Sequence, residues 1–152
     1  MKIVEFLKPE AVIANVAGPG GPAVLAELCR PLAAQLRVDT QRLLETLLER
    51  EKLGSTGIGD GVAIPHGKVA GLPGLVASFG RAPGGLDFHA IDGKPTYLFF
   101  ALLAPENSAG AHLKALARIS RLFKSPTFRE SILKAGSADG IYRLIETEDG
   151  KY

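Results

Sequence analysis

Residues 49–68 read Glu49-Arg50-Glu51-Lys52-Leu53-Gly54-Ser55-Thr56-Gly57-Ile58-Gly59-Asp60-Gly61-Val62-Ala63-Ile64-Pro65-His66-Gly67-Lys68. Gly54, Gly57, Gly59 and Gly61 fall within eight residues, with Ser55, Thr56 and Asp60 between them. Each glycine adds backbone entropy that folding must remove, so this density argues against a regular helix or strand interior. It suits a loop that exposes its own amide hydrogens. The loop feeds a short apolar run, Val62-Ala63-Ile64, that stops at Pro65-His66-Gly67. Such a strand end delivers one imidazole between two backbone-restricting neighbours.

Upstream of this stretch, Ala11-Val12-Ile13-Ala14 reads as an edge strand, broken by Gly18-Pro19-Gly20-Gly21. Pro22 suits the first turn of a helix, where its missing amide hydrogen is harmless. Leu25, Leu28, Leu32 and Leu36 follow at helical spacing, with a kink expected at Pro31. Asp39 caps the next helix, whose apolar face is Leu43, Leu44, Leu47 and Leu48. That helix ends at Arg50 to Lys52, which places Arg50 beside the glycine loop.

Downstream, Leu75 to Phe79 predicts a strand ended by Pro83-Gly84-Gly85. Leu86 to Ile91 alternates and meets Asp92-Gly93, a hairpin signal. Tyr97 to Leu103 is apolar on both faces and reads as a central strand covered from both sides. Helices are expected from Ser108 to Lys124, from Ser125-Pro126 and from Ser137. The expected fold is therefore α/β: one domain over 1–152, a sandwich with a central mixed β-sheet flanked by helices on both faces.

Composition narrows the function. The formal charge of +2 is too small to argue for nucleic acid, and Lys and Arg form no stripe. No apolar run reaches the length of a membrane span, so no direct membrane insertion is expected. The N-terminus, Met1 to Lys8, is too short and too charged for a secretory signal. The single cysteine, Cys29, has no intramolecular partner and sits among leucines, which reads as a core thiol in a reducing compartment. A cytoplasmic protein is the expectation.

Nucleotide and metal motifs fail on spacing. Gly57-Ile58-Gly59-Asp60-Gly61 has Val62 where the dinucleotide fingerprint needs a further glycine, and it lies between a helix and a strand rather than the reverse. Gly61 to Lys68 approaches a P-loop, but too many residues separate Gly61 from Gly67, and Val69 replaces the magnesium-binding hydroxyl. His66, His89 and His112 have no metal-ligand spacing, so no metal is expected. Ser55 lacks the nucleophile elbow of a hydrolase.

The run from Arg50 to Lys68 resembles the IIA domain of the fructose/mannitol class of the bacterial phosphoenolpyruvate phosphotransferase system, and particularly its nitrogen-regulatory branch. Ala90-Ile91-Asp92-Gly93-Lys94-Pro95, Phe100-Ala101-Leu102-Leu103-Ala104-Pro105 and His112-Leu113 extend the likeness in order along the chain. Ala17 to Pro22 departs from the polar, often basic segment usual there. The resemblance implies a phosphohistidine carrier without cofactor. His66 would accept a phosphoryl group from an HPr-type phosphocarrier protein, with His112 and Arg50 contacting that group. Ser55, Thr56 and the Gly57 amide are candidate phosphate ligands from the loop.

A neutral imidazole nitrogen is a competent nucleophile near neutrality, and a guanidinium can grip two phosphate oxygens. Lys68 either tunes the field or is simply solvated, and His89 is expected at the surface. Apolar surface is expected around His66. The partners implied are the HPr-type donor and either regulatory targets or a IIB component. Three roles stay open: a regulator signalling through its phosphorylation state, a stand-alone IIA component feeding a sugar-specific IIB, and a binding regulator indifferent to phosphorylation.

Overall fold

A computed structural model describes residues 1–152. After a 3-10 turn at Ile3–Glu5, the chain forms β1 (Leu7–Ile13), α1 (Gly21–Leu36), α2 (Thr40–Lys52), β2 (Gly57–Gly59), β3 (Val62–Ala63) and β4 (His66–Lys68). It continues as β5 (Val76–Leu86), β6 (Thr96–Ala104), α3 (Ala109–Leu122), α4 (Pro126–Lys134) and α5 (Ala138–Asp149). The strands make one mixed sheet in the order β1-β5-β6-β3-β2, with β4 following β3 along the same edge of β6. β1 runs parallel to β5, β5 antiparallel to β6, and β3 and β4 parallel to β6.

The apolar run from Tyr97 to Leu103 is indeed central, and its alternation builds two cores at once. Leu98, Phe100 and Leu102 point into one cluster with Ile119, Leu122, Ile132, Ile141 and Ile145 of α3 to α5. Phe99, Ala101 and Leu103 point into the other, against Leu25, Leu28, Leu32, Leu43 and Leu47 of α1 and α2. A period of two on a strand buried from both sides requires this division. The expected sandwich with helices on both faces is what forms.

Local expectations hold at the helix starts. Asp39 accepts the Gln41 amide at 3.0 Å, Ser125 the Phe128 amide at 3.2 Å and Ser137 the Gly140 amide at 3.0 Å. α1 stays helical through Pro31, and Cys29 is fully buried, with burial pushing its thiol pKa up to about 12.

Two expectations need correction. β5 does not end before Pro83-Gly84-Gly85 but runs through it to Leu86, with its pairing to β6 irregular between Arg81 and Leu86. Pro83 and Gly84 are exposed, so the missing amide donor and missing side chains cost little there. Consequently residues 87–90 are irregular rather than a hairpin strand, although Asp92-Gly93 does turn the chain, with Asp92 accepting the Lys94 amide at 3.0 Å.

Two buried charges tie distant elements. Arg81, in β5, donates to the carbonyls of Ala14 (2.8 Å), Ile132 (3.0 Å) and Ala135 (2.6 Å), capping the end of α4. Asp149, at the end of α5, accepts from the Ile3 amide (2.6 Å) and from Arg118 Nε of α3 (2.6 Å).

Candidate functional site

Three elements converge beside the C-terminal part of β6. β4 pairs with β6, His66 opposite Leu102, and fixes the backbone of His66. α2 lies directly over β4: a β-carbon on Gly67 would sit 2.6 Å from Thr46 Cγ2, so only glycine permits the approach. That contact brings the last turn of α2, with Arg50, over the histidine. α3 begins after β6, and its first turn carries His112, whose amide donates to the Ser108 carbonyl at 2.9 Å. Ser108 itself makes no side-chain cap to α3; its hydroxyl donates to the Pro105 carbonyl at 2.8 Å.

The two imidazoles meet edge to face, with ring centroids 5.5 Å apart and planes at 75°. His66 Nδ1 lies 2.7 Å from the Ile64 carbonyl oxygen. A carbonyl only accepts, so Nδ1 carries the proton and Nε2 keeps its lone pair. His112 is 7% exposed, and its Nε2 is buried with no hydrogen-bond partner in the protein. A buried polar atom left unpaired is costly, and such an atom in a cleft marks a place for a ligand.

Burial is the main cause that lowers the pKa of His66 below the ordinary histidine value; Arg50 lowers it further, while the Ile64 bond and Glu51 act the other way. Burial likewise lowers His112, helped by the nearby His66 and Lys68. Both rings are therefore neutral at physiological pH.

The histidines open onto a cleft of about 460 Å3 lined by Thr46, Glu49, Arg50, Leu53, His66, Gly67, Lys68 and His112. Arg50 is half-exposed and its Nη1 donates to the Gly54 carbonyl at 2.8 Å, so the guanidinium closes the start of the glycine loop. Leu53 in the lining and Leu113 next to His112 are 85% and 68% exposed, which places apolar surface at the cleft. No three His, Cys, Asp or Glu side chains gather as a metal-ligand set.

Ser55, Thr56 and Gly57 do not line this cleft. The Ser55 hydroxyl donates to the Phe88 carbonyl at 2.7 Å and accepts the Gly57 amide at 3.0 Å. The Thr56 hydroxyl donates to Glu51 Oε2, and its amide donates to Glu51 Oε1 at 3.1 Å. Ser55 instead borders a larger cavity of about 610 Å3, behind α2, with Leu25, Leu48 and Phe88 in its floor and Glu45 and Asp87 on its rim. His89 is exposed and lines that cavity rather than the histidine cleft. The smaller cleft is the candidate site, because both perturbed imidazoles and a guanidinium meet there.

Lys68, expected either to tune the field or to be solvated, is exposed on the cleft's rim and contributes to the field at His112. One group behind the cleft escapes sequence reading. Glu51 takes up the Thr56 donors; the only hint in the sequence is an acid one helical turn ahead of the loop.

Comparison with known proteins identifies the family. The family model for the phosphoenolpyruvate-dependent sugar phosphotransferase system, EIIA 2, matches residues 5–148. A nitrogen regulatory protein of Bradyrhizobium diazoefficiens is 38% identical over 145 residues, covering 95% of both chains. The fructose-specific EIIABC component of Bacillus subtilis is 37% identical over 98% of this chain but only 24% of its own length. The crystal structure of nitrogen regulatory protein IIA-Ntr from Neisseria meningitidis superposes with a TM-score of 0.88 at 35% identity, covering 94% of this chain and 98% of that one. No helix here is long and apolar enough to cross a membrane. With its mixed sheet, its histidine cleft and a sequence match along almost its whole length, the chain belongs to the EIIA 2 family of the phosphoenolpyruvate-dependent sugar phosphotransferase system.

Proposed function

We propose that this protein, a single EIIA type-2 domain of the cytoplasm, accepts a phosphoryl group on Nε2 of His66 from the phosphohistidine of an HPr-type carrier and signals through its phosphorylation state. The observation that carries this reading is the bond from His66 Nδ1 to the Ile64 carbonyl at 2.7 Å, which leaves Nε2 as the nucleophile. As the bond from Nε2 to phosphorus forms, the bond from the donor nitrogen to phosphorus breaks. The donor ring, protonated on its other nitrogen, departs as neutral imidazole. The Nδ1 proton stays on His66 and steadies the charge the phosphorylated ring gains.

The unpartnered Nε2 of His112 supplies a donor for one phosphoryl oxygen. Arg50, by exchanging the Gly54 carbonyl for phosphate, supplies a second. Phosphoryl transfer depends mainly on such positioning and charge neutralisation, and passage between two imidazoles calls for no cofactor. Ser55, Thr56 and Gly57 serve this reading as the loop's frame; to reach phosphate they would first have to release Phe88 and Glu51. The exposed Leu53 and Leu113 offer the donor an apolar landing.

A regulatory role is favoured by the nitrogen regulatory relative, which matches end to end. Onward transfer to a IIB component is the second reading, favoured by the match to a fructose-specific EIIABC component. A regulator that binds its targets irrespective of phosphorylation is the third. Incubation with a phosphorylated HPr-type donor, followed by intact-mass measurement in alkali, separates them. One acid-labile phosphate is expected, absent in His66→Ala and slower to appear in Arg50→Ala and His112→Ala. No label from a competent donor would refute the carrier reading, and onward transfer to a IIB protein would favour transport.

A further inference from the structure

Arg50 and Glu51 are consecutive in the last turn of α2, and they grip two different points near the start of the glycine loop. Arg50 holds the Gly54 carbonyl, whereas Glu51 reaches Thr56. Both Glu51 oxygens are used: Oε1 accepts the Thr56 amide at 3.1 Å and Oε2 accepts the Thr56 hydroxyl. Thr56 is 4% exposed. Its carbonyl accepts the Ile64 amide at 3.0 Å, and the Ile64 carbonyl accepts His66 Nδ1–H at 2.7 Å. From the opposite side the Pro65 carbonyl accepts the Leu102 amide at 2.8 Å, so the peptide between Ile64 and His66 is held at both ends.

We propose that Glu51 is a positioning residue for His66: its carboxylate locks Thr56, Thr56 locks Ile64, and the Ile64 carbonyl is thereby aimed at Nδ1, which keeps the lone pair on Nε2. A carboxylate is the group that fits. It alone among side chains accepts from an amide and a hydroxyl of one residue with two oxygens in a fork. Glutamine offers one acceptor and one donor, so it holds the amide but must turn the hydroxyl round. Aspartate is one methylene short of the same reach. Without the lock, the segment from Thr56 to Ile64 keeps its short strand pairings but loses the constraint on the carbonyl's direction. His66 then exchanges between tautomers, and only one of them is reactive at Nε2.

The role assigned to the tautomer rests on His66 being the phosphoacceptor, so two independent readouts are needed. The first is the pair of ring-nitrogen chemical shifts of His66, obtained by long-range proton–nitrogen correlation on the unphosphorylated full chain. The native protein is expected to show a protonated Nδ1 and a bare Nε2, and Glu51→Ala a mixture of both forms. The second is phosphorylation by an HPr-type donor. Glu51→Ala is expected to lower kcat about tenfold, the effect of one charge-assisted hydrogen bond, with KM for the donor unchanged. Glu51→Gln should stay within about threefold of native, because it keeps the amide bond.

Should Glu51→Ala fail to fold, Glu51→Gln and Thr56→Val carry the same readouts, with Thr56→Val expected to mix the tautomers. Folded Glu51→Ala or Thr56→Val with native His66 nitrogen shifts would overturn the proposal, even if their stability falls. If the native protein takes no phosphate, the carrier reading fails, while the nitrogen shifts still decide the role of Glu51.

Discussion

Replacing Asp149 by alanine tests how the cleft-bearing helix α3 is held. The Asp149 side chain is 1% exposed, and Arg118, its partner on α3, is 18% exposed. The carboxylate accepts from Arg118 Nε at 2.6 Å and from the Ile3 amide at 2.6 Å, with the Val4 amide farther off at 3.4 Å. Alanine leaves a mostly buried guanidinium without its anion and a buried amide without an acceptor. Breaking one side of a buried pair costs about 3–5 kcal/mol, and the partial exposure of Arg118 lets water repay some of it. The expected loss is therefore about 3 kcal/mol. For a chain of this size each kcal/mol is worth roughly 3 °C, so Tm should fall by about 10 °C.

Urea titration followed by circular dichroism measures the loss, and an unchanged m-value would show that the folded state is otherwise intact. Asp149→Asn, which keeps an acceptor for the Ile3 amide, should lose about half as much. Arg118→Met combined with Asp149→Ala should recover part of the loss, because no charge is then stranded. A loss below about 1 kcal/mol for Asp149→Ala would refute the view that this carboxylate is the lock between the N-terminal turn, α3 and α5.

Gly67→Ala should push α2 away from β4, since the new methyl would sit 2.6 Å from Thr46 Cγ2. A stability loss of about 1–3 kcal/mol is expected, with slowed phosphorylation, and Thr46→Ala in the same chain should restore both; failure of that rescue would place the strain elsewhere. Histidine titration carries a sign that proton NMR can check. Because both folded pKa values lie below the ordinary 6.5, the unfolded chain binds more protons as pH falls from 6.5 toward the folded values. Stability from these two rings should thus be complete above pH 6.5 and decline across that window. Phosphoryl acceptance should stay flat down through the same pH and fall only below it, and Arg50→Ala should raise the titration midpoint of His66. A midpoint above 6.5 in the native protein would contradict the burial that sets it.

The architecture was legible because its decisive signals are local. The unbroken apolar run from Tyr97 to Leu103 marks a strand with two covers, and Asp39, Ser125 and Ser137 announce helix starts that need only their own next turn. The misreading of Pro83-Gly84-Gly85 has an equally physical source. Such residues break a strand only where partners need their amides or side chains, and whether a neighbour is present is not written locally. Ser55 and Thr56 illustrate the same limit at the cleft. Their hydroxyls look free in the sequence, but Phe88, 33 residues away, takes one, and Glu51, half-buried against the loop, takes the other.

Sequence alone determined which imidazole is presented at a strand end, through Pro65-His66-Gly67, and which basic side chain ends α2 beside it, through Arg50. Tertiary structure decided the rest. It brought His112 from a helix 46 residues beyond His66 to a ring distance of 5.5 Å, and it turned the Ile64 carbonyl onto Nδ1, selecting the tautomer. Neither is encoded locally, because each depends on β6 seating β4 and α3 at the same end of the sheet, and on buried partners that only the closed fold supplies.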